Sequence, residues 1–309
     1  MRRANCTITP TRSRLQRVCA AMLVAGLSSV ALHAQDQPKK YDVKLDWKAV
    51  EGHKSELAFD DSQLVRMVIS TNDREIMKRE DKQSRSFAAV EVIVKTKDDK
   101  PAVSRWTFSK ATQQSSDRNT PFAFQGRTVV VTKDPGRGRL FAFDNGEAVA
   151  PEDAAVLAQL WGSDNKPGEL SGEEIFAPKQ PVSVGETWTP DVATIARELK
   201  FGDVDVKRSS AKATLKSAET RNGVEFGKVE LQFELWLTKF GPMQLEKPAV
   251  MKAAGDIDAC LDRTLPDGTM RMTMEAKADG PATMGEPPTR VQVSFEMKAN
   301  MLEIQTTAR

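Results

Sequence analysis

The chain has 309 residues, 39% of them hydrophobic, with 45 basic residues against 43 acidic ones and a formal charge of +2. That balance excludes the basic footprint expected of a nucleic-acid or anionic-lipid binder at whole-chain level. The length allows a self-sufficient hydrophobic core in one large or two small domains, so disulfides are not required.

Residues 1–34 have the order of a secretory signal peptide. Arg2, Arg3, Arg12, Arg14 and Arg17 come without any acidic residue, an uncharged run extends from 18 to 32, and Ala34 precedes polar Gln35, Asp36 and Gln37. An acid-free, arginine-rich start also fits a mitochondrial transit peptide, but the compact apolar core followed by Ala34 favours secretion. The run is too short and too rich in small residues for a membrane span. Cleavage near Ala34 predicts a periplasmic or secreted protein with 40 basic and 43 acidic residues, a net charge of −3. It also leaves Cys260 as the only thiol and His53 as the only imidazole. Zinc sites built on histidine clusters or thiolates are thereby excluded.

After a flexible stretch, 35–40, residues 41–309 read as a single β-rich domain with its helices within 150–202. Apolar and polar residues alternate with period two at 41–47, 65–69, 87–94 and 103–108, the mark of strands with one wet face. The polar stretch 111–121 reads as a connector. Asp134-Pro135-Gly136 separates strands at 128–131 and 140–143. A helix is predicted from Pro151, with Glu152 and Asp153 on the positive end of its dipole, an apolar face of Val156, Leu157, Leu160 and Trp161, and a stop at Gly162. After a second connector, 162–172, Thr189 is the predicted cap of another helix whose face is Val192, Ile195, Ala196 and Leu199, ending by Gly202. Asn222-Gly223 predicts a tight hairpin between 211–218 and 224–237. Pro266-Asp267-Gly268 closes a second one, from 257–265 into 269–276. A third connector, 279–289, leads to the last alternating run, 291–301.

Few residues carry chemistry. Asp256, Asp258, Cys260 and Asp262 alternate with apolar residues and would share one strand face, as a calcium site or carboxylate pair would need. A solvated polar face is the better reading, because the spacing matches no metal-binding loop. His53 lies in a polar turn and reads as a surface histidine. Gly136-Arg137-Gly138 is a turn, since no phosphate-binding glycine motif occurs. Trp236 falls on the polar face of its strand, where cover by a helix is the simplest explanation. The methionines stand apart. Eight of the ten beyond Ala34 lie at or after Met243, with Met270, Met272 and Met274 on one strand face and Met297 and Met301 on another. Methionine fills cores but also lines adaptable apolar binding surfaces.

Pro181-Val182-Ser183-Val184-Gly185-Glu186-Thr187-Trp188 resembles a P-V-x-V-G-[DE]-x-W signature of uncharacterised exported bacterial β-rich proteins of about 300 residues. That family transfers no catalytic residues. The strand–helix–strand order and the methionine face are similar, in architecture only, to periplasmic lipoprotein carriers.

The expected fold is mainly β: a strongly curved antiparallel sheet or half-barrel with two or three mid-chain helices packed on it. The expected function is a non-enzymatic binding or envelope-associated protein with an apolar ligand cavity at Met270, Met272, Met274, Phe295 and Met297. Its partner would be a lipid, another apolar ligand or an envelope protein. No cofactor, metal or nucleic acid is called for, and no transmembrane helix is expected after cleavage. The alternatives are a carboxylate-dependent hydrolase, which needs two acids at a fixed separation, and a purely structural envelope component.

Overall fold

A computed structural model describes residues 38–72, 74–115, 118–134, 136–160, 172–199 and 203–308. The predicted signal segment, Trp161, most of the 162–172 connector and Gly202 lie outside the described residues. The described strands are β1 (Lys40–Tyr41), β2 (Lys54–Thr71), β3 (Arg74–Lys97), β4 (Lys100–Ser115), β5 (Arg118–Pro121), β6 (Thr128–Asp134), β7 (Gly138–Phe143), β8 (Val182–Ser183), β9 (Thr187–Trp188), β10 (Ser210–Arg221), β11 (Val224–Phe240), β12 (Met243–Cys260), β13 (Gly268–Met284) and β14 (Thr289–Thr307). The described helices are α1 (Pro151–Leu160), α2 (Gly172–Phe176) and α3 (Val192–Leu199).

The fold is mainly β. One antiparallel sheet of 12 strands runs β7-β6-β4-β3-β2-β14-β13-β12-β11-β10-β9, with β5 paired to β4. The last strand, β14, lies beside β2 near the middle of the order, so the two halves of the chain are stitched together there. The sheet is not closed, because β7 and β9 each end it without meeting. β1 and β8 form a separate pair.

Period-two patterning decides which face is dry. On β11 the odd-numbered Val229, Leu231, Phe233, Leu235 and Leu237 are buried, and their register partners on β12 and beyond continue the same face. One core, around Leu235, Met251, Met297 and Phe295, takes in Val192 and Ile195 of α3. Another, around Phe87, Phe108 and Phe124, takes in Leu157 of α1. A third joins Val43 and Val182 to Leu215 and Val229. The helices thus cover the odd face at two places along the long central strands.

Turn chemistry behaves as its residues dictate. Asn222 and Gly223 both take positive φ, 52° and 84°, the backbone of a tight hairpin of matching twist. Asp134 accepts hydrogen bonds from the backbone N–H of Gly136 and Arg137, 2.9 Å each, closing the β6–β7 turn.

Several expectations are corrected. The 41–47 run is not a ladder: only Lys40 and Tyr41 pair, while Val43 is fully buried as a plug in the third core. Residues 111–115 and 118–121 are strand, in β4 and β5. So is most of 279–289, although it contains Pro281. Residues 246–249 of β12 and 278–281 of β13 make no ladder pairs with each other, so Pro248 and Pro281 fall where the two strands part. The cap of α3 is Asp191 rather than Thr189. Its carboxylate accepts from the N–H of Ala193 and Thr194 and from the Thr194 hydroxyl at 2.6 Å. The contact described over the Trp236 ring is the Arg208 guanidinium, 3.7 Å from its centroid, rather than a helix residue. His53 is half-buried against Trp47, ring centroids 5.0 Å apart, rather than a surface residue.

Candidate functional site

The candidate site lies where β12, β13, β14, β2 and β3 run side by side. Register fixes which side chains share a face there. On the odd face of β14, β2 and β3, successive rows read Ile257–Met270–Glu303–Phe59–Phe87, then Gly255–Met272–Met301–Asp61–Arg85, then Ala253–Met274–Ala299–Gln63–Gln83, then Met251–Ala276–Met297–Val65–Asp81. The methionines singled out in the sequence are therefore on one face, but not in one environment. Met297 and Phe295 are 3% and 4% exposed within the α3 core, with Phe295 against Phe240 at 4.3 Å between ring centroids. Met270, Met272 and Met274 are half-buried, as is Met301, which sequence reading placed on the neighbouring strand. Phe295 also borders a recess of about 360 Å³, whose other wall is Arg79, Asp81 and Gln83 of β3.

Gly255 sets how closely β12 can approach β13 at this point. A Cβ there would lie 2.3 Å from the carbonyl oxygen of Arg271 and 3.2 Å from the Cα of Met272, so only glycine fits.

The other face of the same strands is polar. It carries a hollow of about 600 Å³, lined mainly by the rows Arg271–Leu302–Asp60–Ser86–Thr112 and Thr273–Asn300–Ser62–Ser84–Gln114, with Asn119 of β5. In a flat sheet β13 and β5, five strand spacings apart, would stand roughly 24 Å from each other. Both line this hollow, together with Met272 and Met301, so the sheet bends around it locally. On the methionine face Phe240 of β11 and Phe295 of β14, three strand spacings apart in the sheet order, meet at 4.3 Å between ring centroids, so there the sheet curls toward the methionines. The carboxyls of the hollow are Asp60 and Asp61, successive residues of one strand that point to opposite faces. They do not supply an acid and a base on two sides of a scissile bond.

Electrostatics separate paired acids from solitary ones. Asp61 accepts from the Nε of Arg85 at 2.9 Å, and the same guanidinium donates to Gln159 of α1 at 2.9 Å. Asp256 pairs with Lys228 at 3.5 Å, and Asp258 with Arg221 at 2.7 Å. The buried Cys260 thiol donates to Asp262 at 2.8 Å, which helps hold that carboxyl below the usual range. Among the described residues no group of three or more His, Cys, Asp or Glu is placed to hold a metal ion. Asp256, Asp258 and Asp262 each hold an ion pair or hydrogen bond, although the buried Oδ1 of Asp258 has no partner among the described residues.

Sequence reading missed two acids. Glu91, 5% exposed, sits on the odd face in the aromatic core. Burial pushes its carboxyl up to about 7, against the opposing pull of Ser104, the Arg139 charge and Ser55. Glu303 is half-buried between Met270 and Phe59, and burial raises its carboxyl as well. The available signal was an acid in the apolar parity of each strand: Phe87–Ala89–Glu91–Ile93, and Met297–Ala299–Met301–Glu303.

Among the described residues no helix is long and apolar enough to cross a membrane; this statement says nothing about crossing by strands. No protein-family model matches the chain, and no curated protein matches it. Among solved structures, the chain is similar to OpdQ of Pseudomonas aeruginosa at 8% identity and a TM-score of 0.25, over 83% of this chain and 98% of that one. It is also similar to a loop L8 deletion mutant of OmpT, an outer membrane protein of Vibrio cholerae, at 7% identity and a TM-score of 0.18, over 81% and 99%. Likenesses this weak carry no argument about fold or function.

Proposed function

We propose that this chain is an exported, envelope-associated binding protein without catalysis of its own, and that its ligand is apolar. Export rests on the basic region, apolar core and Ala34 of the N-terminal segment. Binding rests on one observation: Met270, Met272, Met274 and Met301 stay half-exposed on the same face on which Phe295 and Met297 are buried. A folded chain gains by covering such a strip, and flexible, polarizable thioethers adapt to a chain-like ligand without a rigid pocket. Met272 and Met274 pack at the edge of the core under α3 and Met301 at the edge of the core under α1, so the strip joins the two.

The test is titration of the intact chain with N-phenyl-1-naphthylamine, an uncharged fluorescent apolar probe. The wild type is expected to bind with saturable fluorescence enhancement, and Met272→Gln/Met274→Gln to weaken binding at least tenfold while leaving the circular dichroism spectrum unchanged. Equal affinity for both proteins, or no saturable binding, sinks the reading.

A further inference from the structure

Glu303 interrupts the methionine strip with a carboxyl. Its register neighbours are Met270 on β13 and Phe59 on β2, and Met301 lies two residues before it on the same face. Its carboxyl makes no hydrogen bond or ion pair among the described residues. Several other sheet acids are matched by a cation: Asp61 by Arg85, Glu80 by Arg66, Glu296 by Lys277 and Lys298, and Asp258 by Arg221. The cation on the adjoining row, Arg85, is already divided between Asp61 and Gln159. A half-buried carboxyl set among apolar side chains without a partner is costly, and any cation delivered to it recovers that cost. Burial has already moved its proton affinity upward, so water only poorly solvates the charge.

We infer that the ligand of the methionine strip is a cationic amphiphile, a long-chain amine or ammonium, with its head at Glu303 and its chain along Met270, Met272 and Met274. The inference rests on the apolar-binding reading above and adds the charge of the ligand to it. From Met270 to Met274 the strand rises roughly 14 Å, about the length of a twelve-carbon chain. A neutral polar head gains less at this point, and an anionic head is repelled.

The experiment is competition against N-phenyl-1-naphthylamine on the intact chain, using dodecyltrimethylammonium and dodecyl maltoside below their micelle concentrations. The cationic probe is expected to bind at least tenfold tighter than the neutral one, and Glu303→Gln to abolish that preference while leaving dodecyl maltoside binding unchanged. Equal affinities for the two probes on the wild type, or a preference that survives in Glu303→Gln, overturn the assignment of charge and leave the apolar strip standing. If neither amphiphile nor the naphthylamine binds, both readings fall together.

Discussion

Gly255→Ala is expected to destabilise the protein by about 2–3 kcal/mol, lowering the midpoint of thermal unfolding by roughly 5–10 °C. The new methyl would have to occupy space 2.3 Å from the Arg271 carbonyl oxygen. That obstacle is backbone in the middle of a ladder, so no rotamer change relieves it. Either β12 moves away from β13, losing pairs between Ala253 and Ile257, or the Met272 row shifts with it. Gly227→Ala is the natural control. The nearest atoms to its Cβ would be those of the Leu261 side chain, from 2.8 Å, which can turn aside as a backbone carbonyl cannot. Calorimetry on both variants decides the matter, and an unchanged midpoint for Gly255→Ala would show that the strand approach is not tight there.

The second large effect belongs to Glu91. Its carboxyl is raised to about 7 in the folded chain, from an ordinary value of 4.5. The folded state therefore holds the proton more tightly than the unfolded one. The stability it contributes is fully present below pH 4.5 and lost as the pH rises towards and through 7. A separation of that size corresponds to roughly 3 kcal/mol between pH 4 and pH 8. Glu91→Gln keeps a hydrogen-bonding side chain beside Ser55, which itself accepts from Gln305 at 3.2 Å, and beside Ser104, which accepts from the Trp106 ring N–H at 2.8 Å. The variant is expected to be more stable than wild type by about 1–3 kcal/mol at pH 8 and nearly equal to it at pH 4.5. Urea unfolding at both pH values measures the difference. Because Glu303 shifts in the same direction, the quantity to compare is variant against wild type at each pH. A variant that tracks the wild type at both pH values would place the Glu91 charge in water.

Alternation made most of the sheet legible. Val229 to Leu237 and Val291 to Met301 declare a dry face and a wet one, and Asn222-Gly223 declares the turn between β10 and β11. Less visible were strands whose partners rather than their own patterns hold them in place. Residues 74–86 form the first half of β3 with little apolar alternation. They stay in the ladder because Arg85 meets Asp61 and Glu80 meets Arg66 across it. The 41–47 run shows the reverse failure: it alternates well, but only its first residue finds a partner strand, and its apolar residues serve as plugs. The placement of α1 and α3 came through from proline, acids and spacing, whereas α2 was not predicted and the α3 cap moved to Asp191, because its carboxylate reaches the N–H groups of Ala193 and Thr194.

The candidate site was legible as a set of residues and not as an environment. Period two puts Met270, Met272 and Met274 on one face, but whether a methionine is covered depends on what crosses above it, and that is a long-range property. Phe295 and Met297 lie inside the α3 core with Ala276, while Met272 and Met274 reach only its partly buried edge. The curvature of the sheet was also expected; it brings Phe240 to Phe295 on the methionine face, while the hollow beside Asp60 and Asn300 is lined mainly by hydroxyl, amide and charged side chains that tolerate water. Glu91 and Glu303 were readable as parity breaks, single acids in otherwise apolar registers, and each now carries a specific consequence.

Native mass spectrometry of the intact protein, recovered without detergent from the envelope of its own cells, tests the binding function most directly. The expected spectrum shows a polypeptide beginning near Gln35 with a bound amphiphile, and Met272→Gln/Met274→Gln recovered in the same way shows the polypeptide without it. A wild-type protein found only at the mass of its bare chain would contradict the binding function.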